Sequence, residues 1–412
     1  MLDKLTTYRV PAFVFIIISA LGFSSLWYSP AILSISSFLL ILIAILSYKA
    51  TFSRELNSIA YSLIFIFLLY ILDVFRSVDA SIALDKLLLL LVFIGLQLAC
   101  FAAFGKLKTQ LILLFLILST MVLVVDLVAV TNYLMHKEYY NALLLQSKHI
   151  PIPNMHHIHF GILNAWVVLG LAGLLYLKKL QNNKHYLGLG MLLVIAICCH
   201  ILSSRTGLIA LYSGFIVASL VLVYQKKSLK PLFLGTLSII IFVSVAYVSS
   251  TSFRSKTANS LEDFRSWGNG KEINYKSMAM RFEGYKTSIF MLRKNPLGVG
   301  AGAQEAKIQE AYTLRNSVLF IENRVGPHNQ FLEYGVKFGW IGILALIVYF
   351  AALFRVLPST TFPFWGIVAV LFVSLQFESL LERQASIFFI SLLLPLSYYL
   401  FVKEEINGTK VT

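Results

Sequence analysis

Charge is what this sequence has least of. Only 13% of its 412 residues are Asp, Glu, Lys or Arg, about half the roughly 25% of a soluble domain, and that shortage excludes a water-soluble fold. Acidic residues are the scarcer sign, 19 against 34 basic ones, for a formal net charge of +15. A nucleic-acid binder gathers such an excess on one face. Here Lys and Arg stand in small groups between apolar runs, so that class is excluded as well. The three cysteines, Cys100, Cys198 and Cys199, all lie in apolar stretches. They give neither a disulfide framework nor a metal-ligand spacing, and read as buried small residues. The Gly298 to Gly302 run is followed by no Gly-Lys-Ser/Thr and preceded by no strand, so neither a P-loop nor a dinucleotide fingerprint is present. It reads as a flexible turn whose backbone amides can approach an anion. Internal repeats and low-complexity tracts are also missing.

What fills the chain is apolar: 58% of residues are hydrophobic, in repeated runs of about 18–22, each long enough to cross a bilayer as a helix. About twelve spans are expected, near 10–28, 31–48, 57–73, 84–104, 109–131, 158–177, 186–203, 207–224, 231–249, 334–354, 362–379 and 384–402. The first is read as a retained helix, because no small-residue cleavage pattern follows its apolar part. About fifteen Lys and Arg fall on one side of these spans, with the N-terminus, Lys178, Lys179, Lys226, Lys227, Arg355 and the C-terminal tail, against about six in the short loops opposite. Both termini are therefore expected in the cytoplasm. The opposite side carries Asp73, Asp79, Asp85, Glu378 and Glu382. The fold class is an all-α polytopic membrane helix bundle. Helices 1–9 are expected within 1–250, a large helical external loop in 251–327, and helices 10–12 within 328–412.

The long loop is where function is expected, since some 75 polar residues without structure would be unusual. Within it Met278, Phe282, Tyr285, Ile289 and Leu292 recur at helical spacing, and Pro296 with the glycine run ends that helix. Arg205, in Ser203-Ser204-Arg205-Thr206-Gly207, falls at a tight external turn. A snorkelling boundary arginine is the bland explanation, but the positive-inside bias disfavours it there, and a charge held at a membrane edge points to function. Arg281 borders the apolar stripe of the loop helix; a solvated flank and a functional role are both open to it. His328 follows Pro327, which favours a first helical turn. It is expected at a helix N-terminus, whose dipole lowers an imidazole pKa and leaves it neutral, able to act as a general base. Glu333 is the next candidate. The His156, His157 and His159 cluster has no Cys or carboxylate in a telling register. Polar contacts at a helix start explain it better than a metal does.

Arg205 at its turn, Arg281 ahead of Asn295-Pro296-Leu297-Gly298-Val299-Gly300, and Pro327-His328-Asn329-Gln330-Phe331-Leu332-Glu333 with Gly335 and Gly339 together resemble the O-antigen ligase and O-antigen polymerase family. The motifs cover about 190–345, and the topology covers the whole chain. The resemblance implies a class C glycosyltransferase-like bundle in the bacterial inner membrane with its active site on the periplasmic side. It further implies a glycosyltransferase without metal or other cofactor. The donor would be a glycan on undecaprenyl diphosphate. The acceptor would be a sugar hydroxyl of the lipid A-core for a ligase, or another carrier-linked glycan for a polymerase. Membrane lipids would surround it, and no nucleic acid would be involved. Carried onto this chain, Arg205 and Arg281 bind the diphosphate and His328 activates the acceptor. The compact chain and short tails favour ligase; a protein-O-glycosylating member would be longer. A lipid-glycan flippase or secondary transporter is the alternative from another class, and would need charges in mid-bundle.

Overall fold

The computed structural model describes residues 12–47, 54–107, 110–146, 148–269, 273–356 and 361–402. Among them are seventeen α-helices and no β-strand. The helices are α1 (Ala12–Ser24), α2 (Pro30–Ser47), α3 (Arg54–Arg76), α4 (Ala80–Phe104), α5 (Leu111–Met135), α6 (Lys137–Leu145), α7 (His157–Tyr176), α8 (Asn183–Leu202) and α9 (Arg205–Lys226). They continue as α10 (Lys230–Ser249), α11 (Thr251–Gly268), α12 (Ser277–Lys294), α13 (Gln304–Leu314), α14 (Gln330–Phe338), α15 (Trp340–Arg355), α16 (Phe362–Phe377) and α17 (Gln384–Phe401). Nine of the described helices are long and apolar enough to cross a membrane. Three shorter apolar ones, Ala12–Trp27, Trp340–Arg355 and Phe362–Phe377, coincide with the remaining expected spans. The chain is thus a multi-pass membrane protein.

Burial separates the bundle's centre from its rim. In their most apolar 18 residues α17 is 89% buried and α7 83%, whereas α10 is only 6% buried. The central helices are apolar all round, as helices enclosed by other helices must be. At the rim, Phe38, Ile45, Phe233, Ile240 and Val248 turn outward, the surface a hydrocarbon solvent requires. α9 packs along α7 and α16, and α17 along α4. Where α7 meets α9 the backbones nearly touch: a Cβ on Gly207 would lie 2.5 Å from the carbonyl carbon of Gly161. Small residues at that crossing let the two helices approach, which fixes the start of α9 beside the start of α7.

Two expectations need correction. The span near 334–354 is two helices, α14 and α15, broken at Gly339. Gly339 has φ +70°, and a Cβ there would lie 1.9 Å from the Pro296 carbonyl oxygen, so the loop strand takes the space a continuous helix needs; Trp340 donates to that same carbonyl. The glycine run is no free turn. The amide of Ala301 donates to Asp73 Oδ2 at 2.8 Å and that of Gly302 to Ser77 Oγ at 3.0 Å. Arg76 donates to the carbonyls of Leu297 and Lys337. The anion that the Ala301 amide approaches is therefore the protein's own carboxylate. All three cysteines are buried.

Candidate active site

Arg205, Arg281 and His328 lie at the same end of the bundle, on three different elements. Ser203 ends α8 in the left-handed conformation and Ser204 precedes α9. This two-residue reversal leaves Arg205 as the first residue of α9, with Nη1 3.5 Å from Asp263 Oδ2. Asp263, on α11, also accepts the amide of Met278 at 2.9 Å. One carboxylate thus serves both the guanidinium of α9 and the first turn of α12, where an acceptor is wanted. Arg281 follows within the next turn of α12.

Arg281 and Tyr285, one turn apart, both capture the C-terminal end of α16. Arg281 Nη1 donates to the Phe377 carbonyl at 2.5 Å, and Tyr285 Oη donates to the Gln376 carbonyl at 3.0 Å. A cation at a helix C-terminus satisfies carbonyls that no helical amide can reach. The chain leaves α16 extended at Glu378, and its carboxylate links two functional candidates. Oε2 takes Arg281 Nη2 at 3.2 Å and Oε1 takes His328 Nδ1 at 3.1 Å. Burial alone would raise the Glu378 pKa. The hydrogen bond and charge of His328, then the charge of Arg281, outweigh it and hold the group at about 2. An ionised carboxylate only accepts, so Nδ1 carries a proton and Nε2 is the imidazole atom left for chemistry.

His328 does not occupy the helix start expected of it. Asn329 is the N-cap of α14, accepting the amides of Phe331 and Leu332. His328 lies one residue outside, with φ +43°. Asparagine is the better cap because its side-chain oxygen reaches the second and third amides. The imidazole is therefore set by Glu378, across the turn, rather than by the helix dipole. Glu333 is committed elsewhere: Lys337, fully buried, lies 3.2 Å from it and 2.6 Å from Glu382, which Lys86 also approaches at 3.0 Å. Gln304 and Ser379 donate to Glu333 too.

The histidine cluster adjoins these groups. His149 and His157 stack with centroids 3.9 Å apart, and His156 contacts both His157 and His159 edgewise or at a tilt. His156 stands at the N-cap of α7 but makes no capping bond, so ring packing rather than capping explains it. Burial pushes the pKa of His149 and of His156 down, with neighbouring cations adding to the effect, which leaves both rings neutral. Among the described residues no three His, Cys, Asp or Glu side chains are arranged to hold a metal ion.

Sequence reasoning missed Glu378 as a site residue, treating it as one of several acids on its side. Its signal was position: an acid immediately after an apolar run, where the run's last carbonyls need a cation. It also missed Asp126, fully buried on α5 and accepting from Asn164 Nδ2 at 2.8 Å. Residues 190–347 match the family model described as O-antigen ligase. The match takes in Arg205, Arg281 and His328 and stops short of Glu378. No curated protein sequence matches the chain.

Proposed function

We propose, for a chain whose residues 190–347 match the family model described as O-antigen ligase, that it transfers a glycan from undecaprenyl diphosphate to a sugar hydroxyl of the lipid A-core. The reaction takes place at the periplasmic face of the bacterial inner membrane. The observation that carries the reading is the Arg281–Glu378–His328 chain with Arg205 at the same end of the bundle.

In this mechanism Nε2 of His328 takes the proton of the acceptor hydroxyl as its oxygen attacks the anomeric carbon. The bond from that carbon to the diphosphate oxygen breaks, and the electron pair leaves with undecaprenyl diphosphate. Arg205 and Arg281 stabilise the charge that develops on the leaving oxygens through planar, charge-assisted hydrogen bonds. Glu378 fixes the imidazole and stabilises its protonated form, the part a carboxylate plays in hydrolytic triads. A polymerase would run the same chemistry with a carrier-linked acceptor; the ligase description of the matched family supports the first acceptor.

The test is transfer in vitro from purified undecaprenyl-diphosphate glycan, with lipid A-core and carrier-linked glycan offered separately. His328→Ala is expected to lose about 10²–10⁴-fold in turnover while still binding donor. Product only on the carrier-linked acceptor would make the protein a polymerase. Near-normal turnover of His328→Ala would remove the histidine from the mechanism. Orientation is tested by single cysteines at Ser260 and Gln309, which an impermeant thiol reagent should reach in spheroplasts.

A further inference from the structure

A row of polar contacts joins α14 to the connection between α16 and α17. Asn329 Nδ2 donates to the Gln376 carbonyl at 3.0 Å, and His328 Nδ1 meets Glu378 at 3.1 Å. Ser379 Oγ donates to Glu333 Oε2 at 3.2 Å, and the Leu381 amide donates to Gln330 Oε1 at 2.8 Å. Lys337 Nζ lies 2.6 Å from Glu382 Oε1 and 3.2 Å from Glu333 Oε1. Gln330, Glu333 and Lys337 recur at spacings of three and four, so one stripe of α14 makes every contact beyond the turn. The connection itself is irregular: extended at Glu378, a single 3-10 turn at Leu380–Glu382, and extended again at Arg383. Continuous helical hydrogen bonding therefore cannot set its register. Lys337 is fully buried. With Lys86 3.0 Å from Glu382 Oε2, the cluster of two lysines and two glutamates is neutral overall. Buried ion pairs add little net stability over apolar packing; they add a penalty for each wrong pairing. A slip of the connection along α14 would take Glu382 away from a lysine that has no route to water.

We infer that Glu333 and Lys337 are positioning residues, which fix the register of Ser379 and Glu382 on α14 and thereby hold Glu378 against His328. The inference rests on the reading of His328 as the base and Glu378 as its partner. Glu378 is tied only to His328 and Arg281, the groups it serves, so its placement needs an anchor outside that chain. Its neighbour Ser379 supplies one on Glu333, and Glu382, four residues on, supplies another on Lys337. A carboxylate displaced by about 1 Å leaves hydrogen-bond range of Nδ1, and misplacement on that scale can cost a catalytic group about 10²-fold. Glu333 already accepts from Ser379 and Gln304 and faces Lys337, which suits it to anchoring rather than to proton transfer.

The experiment measures kcat and donor Kd of the purified full chain in nanodiscs, with undecaprenyl-diphosphate glycan as the probe. Solid-state NMR follows the hydrogen-bonded Nδ1 proton of His328, assigned by its absence in His328→Ala. Ser379→Ala removes the hydroxyl and leaves every ion pair in place. It is expected to lower kcat about ten- to a hundredfold, to shift the Nδ1 proton signal, and to leave Kd nearly unchanged. Ser379→Thr keeps the hydroxyl and should restore most of the rate. Lys337→Met combined with Glu333→Gln removes two opposite charges together and leaves Glu382 paired with Lys86; the same loss of kcat and the same shift are expected. The Ser379 variants carry the test if that double variant does not fold. A normal kcat and an unmoved Nδ1 signal in Ser379→Ala, with His328→Ala inactive, overturn the positioning role alone. So does a parallel rise in donor Kd, or a lowered melting temperature with kcat intact. Normal turnover by His328→Ala overturns the catalytic reading and the positioning role together.

Discussion

Glu378 Oε1 and His328 Nδ1 are 3.1 Å apart, although 50 residues separate them in the chain. The contact joins the end of α16 to the turn before α14, and it determines which nitrogen of the imidazole is free. Glu378→Gln keeps the size and loses the charge. If the carboxylate orients the ring and stabilises its protonated form, kcat should fall by about 10²–10⁴-fold with donor Kd nearly unchanged. Glu378→Asp should recover less than full rate, because the shorter side chain cannot span both partners. A parallel rise in donor Kd would instead make Glu378 a structural partner of Arg281.

Acid should reveal the same group through stability. The Glu378 pKa is lowered from 4.5 to about 2 in the fold. Its ionised form therefore stabilises the folded chain above pH ~4.5, and that contribution is lost as pH falls through about 2. At ~1.4 kcal/mol per unit the difference is at most roughly 3 kcal/mol. Thermal unfolding in detergent between pH 5 and 2 should show a shallower decline for Glu378→Gln than for the parent. Equal slopes would place the effect on other acids.

The two arginines should fail differently. Arg281→Ala leaves the largely buried Glu378 without one of its partners, and breaking such a pair typically costs about 3–5 kcal/mol. Lower thermal stability as well as lost transfer is expected. Among the described residues the Arg205 guanidinium has one ion pair, at 3.5 Å, so Arg205→Ala should lose transfer with a smaller change in stability. Arg205→Lys should rescue poorly, since lysine lacks the planar fork. Comparing melting temperature with donor affinity for each variant decides the matter.

Gly339→Ala should prevent proper folding. The positive φ and the Pro296 oxygen 1.9 Å from the added Cβ leave no room to relax, and a cost above ~3 kcal/mol is expected from strain and overpacking combined. Gly268→Ala, at the end of α11 with nothing within 4 Å of the new methyl, is the control and should be neutral or slightly stabilising. Yield and monodispersity in detergent separate the two.

The membrane character and most helix positions were legible because apolar run length and Lys/Arg asymmetry are local properties of the chain. Arg205 was legible for the same reason: a charge at a turn between two apolar runs is visible in five residues. The break at Gly339 was not, because its cause is the carbonyl of Pro296 brought in from the loop. The role of Glu378 and the pinning of Ala301 by Asp73 were equally hidden, since both depend on segments that meet only in the fold. The shift of His328 out of the helix turned on a local choice: Pro327 and Asn329 both signal a start, and asparagine's side-chain oxygen decided between them.

The bond from Ala301 to Asp73 spans 228 positions, and this bears on the order in which the protein is made. Chains are synthesised from the N-terminus, so α3 is complete long before the glycine run exists. Until then the C-terminal end of α3 satisfies itself: Arg76 Nε lies 3.0 Å from Asp73 Oδ1, one turn back. That internal pair leaves Asp73 Oδ2 for the Ala301 amide and the terminal nitrogens of Arg76 for the carbonyls of Leu297 and Lys337. The nine apolar helices that precede the long loop can thus wait in the membrane without an unpaired charge at this spot, and docking of the glycine run becomes a late, chain-closing event in biogenesis. A ribosome-bound intermediate ending before Ala301 would carry the latch already formed and the catch still to come.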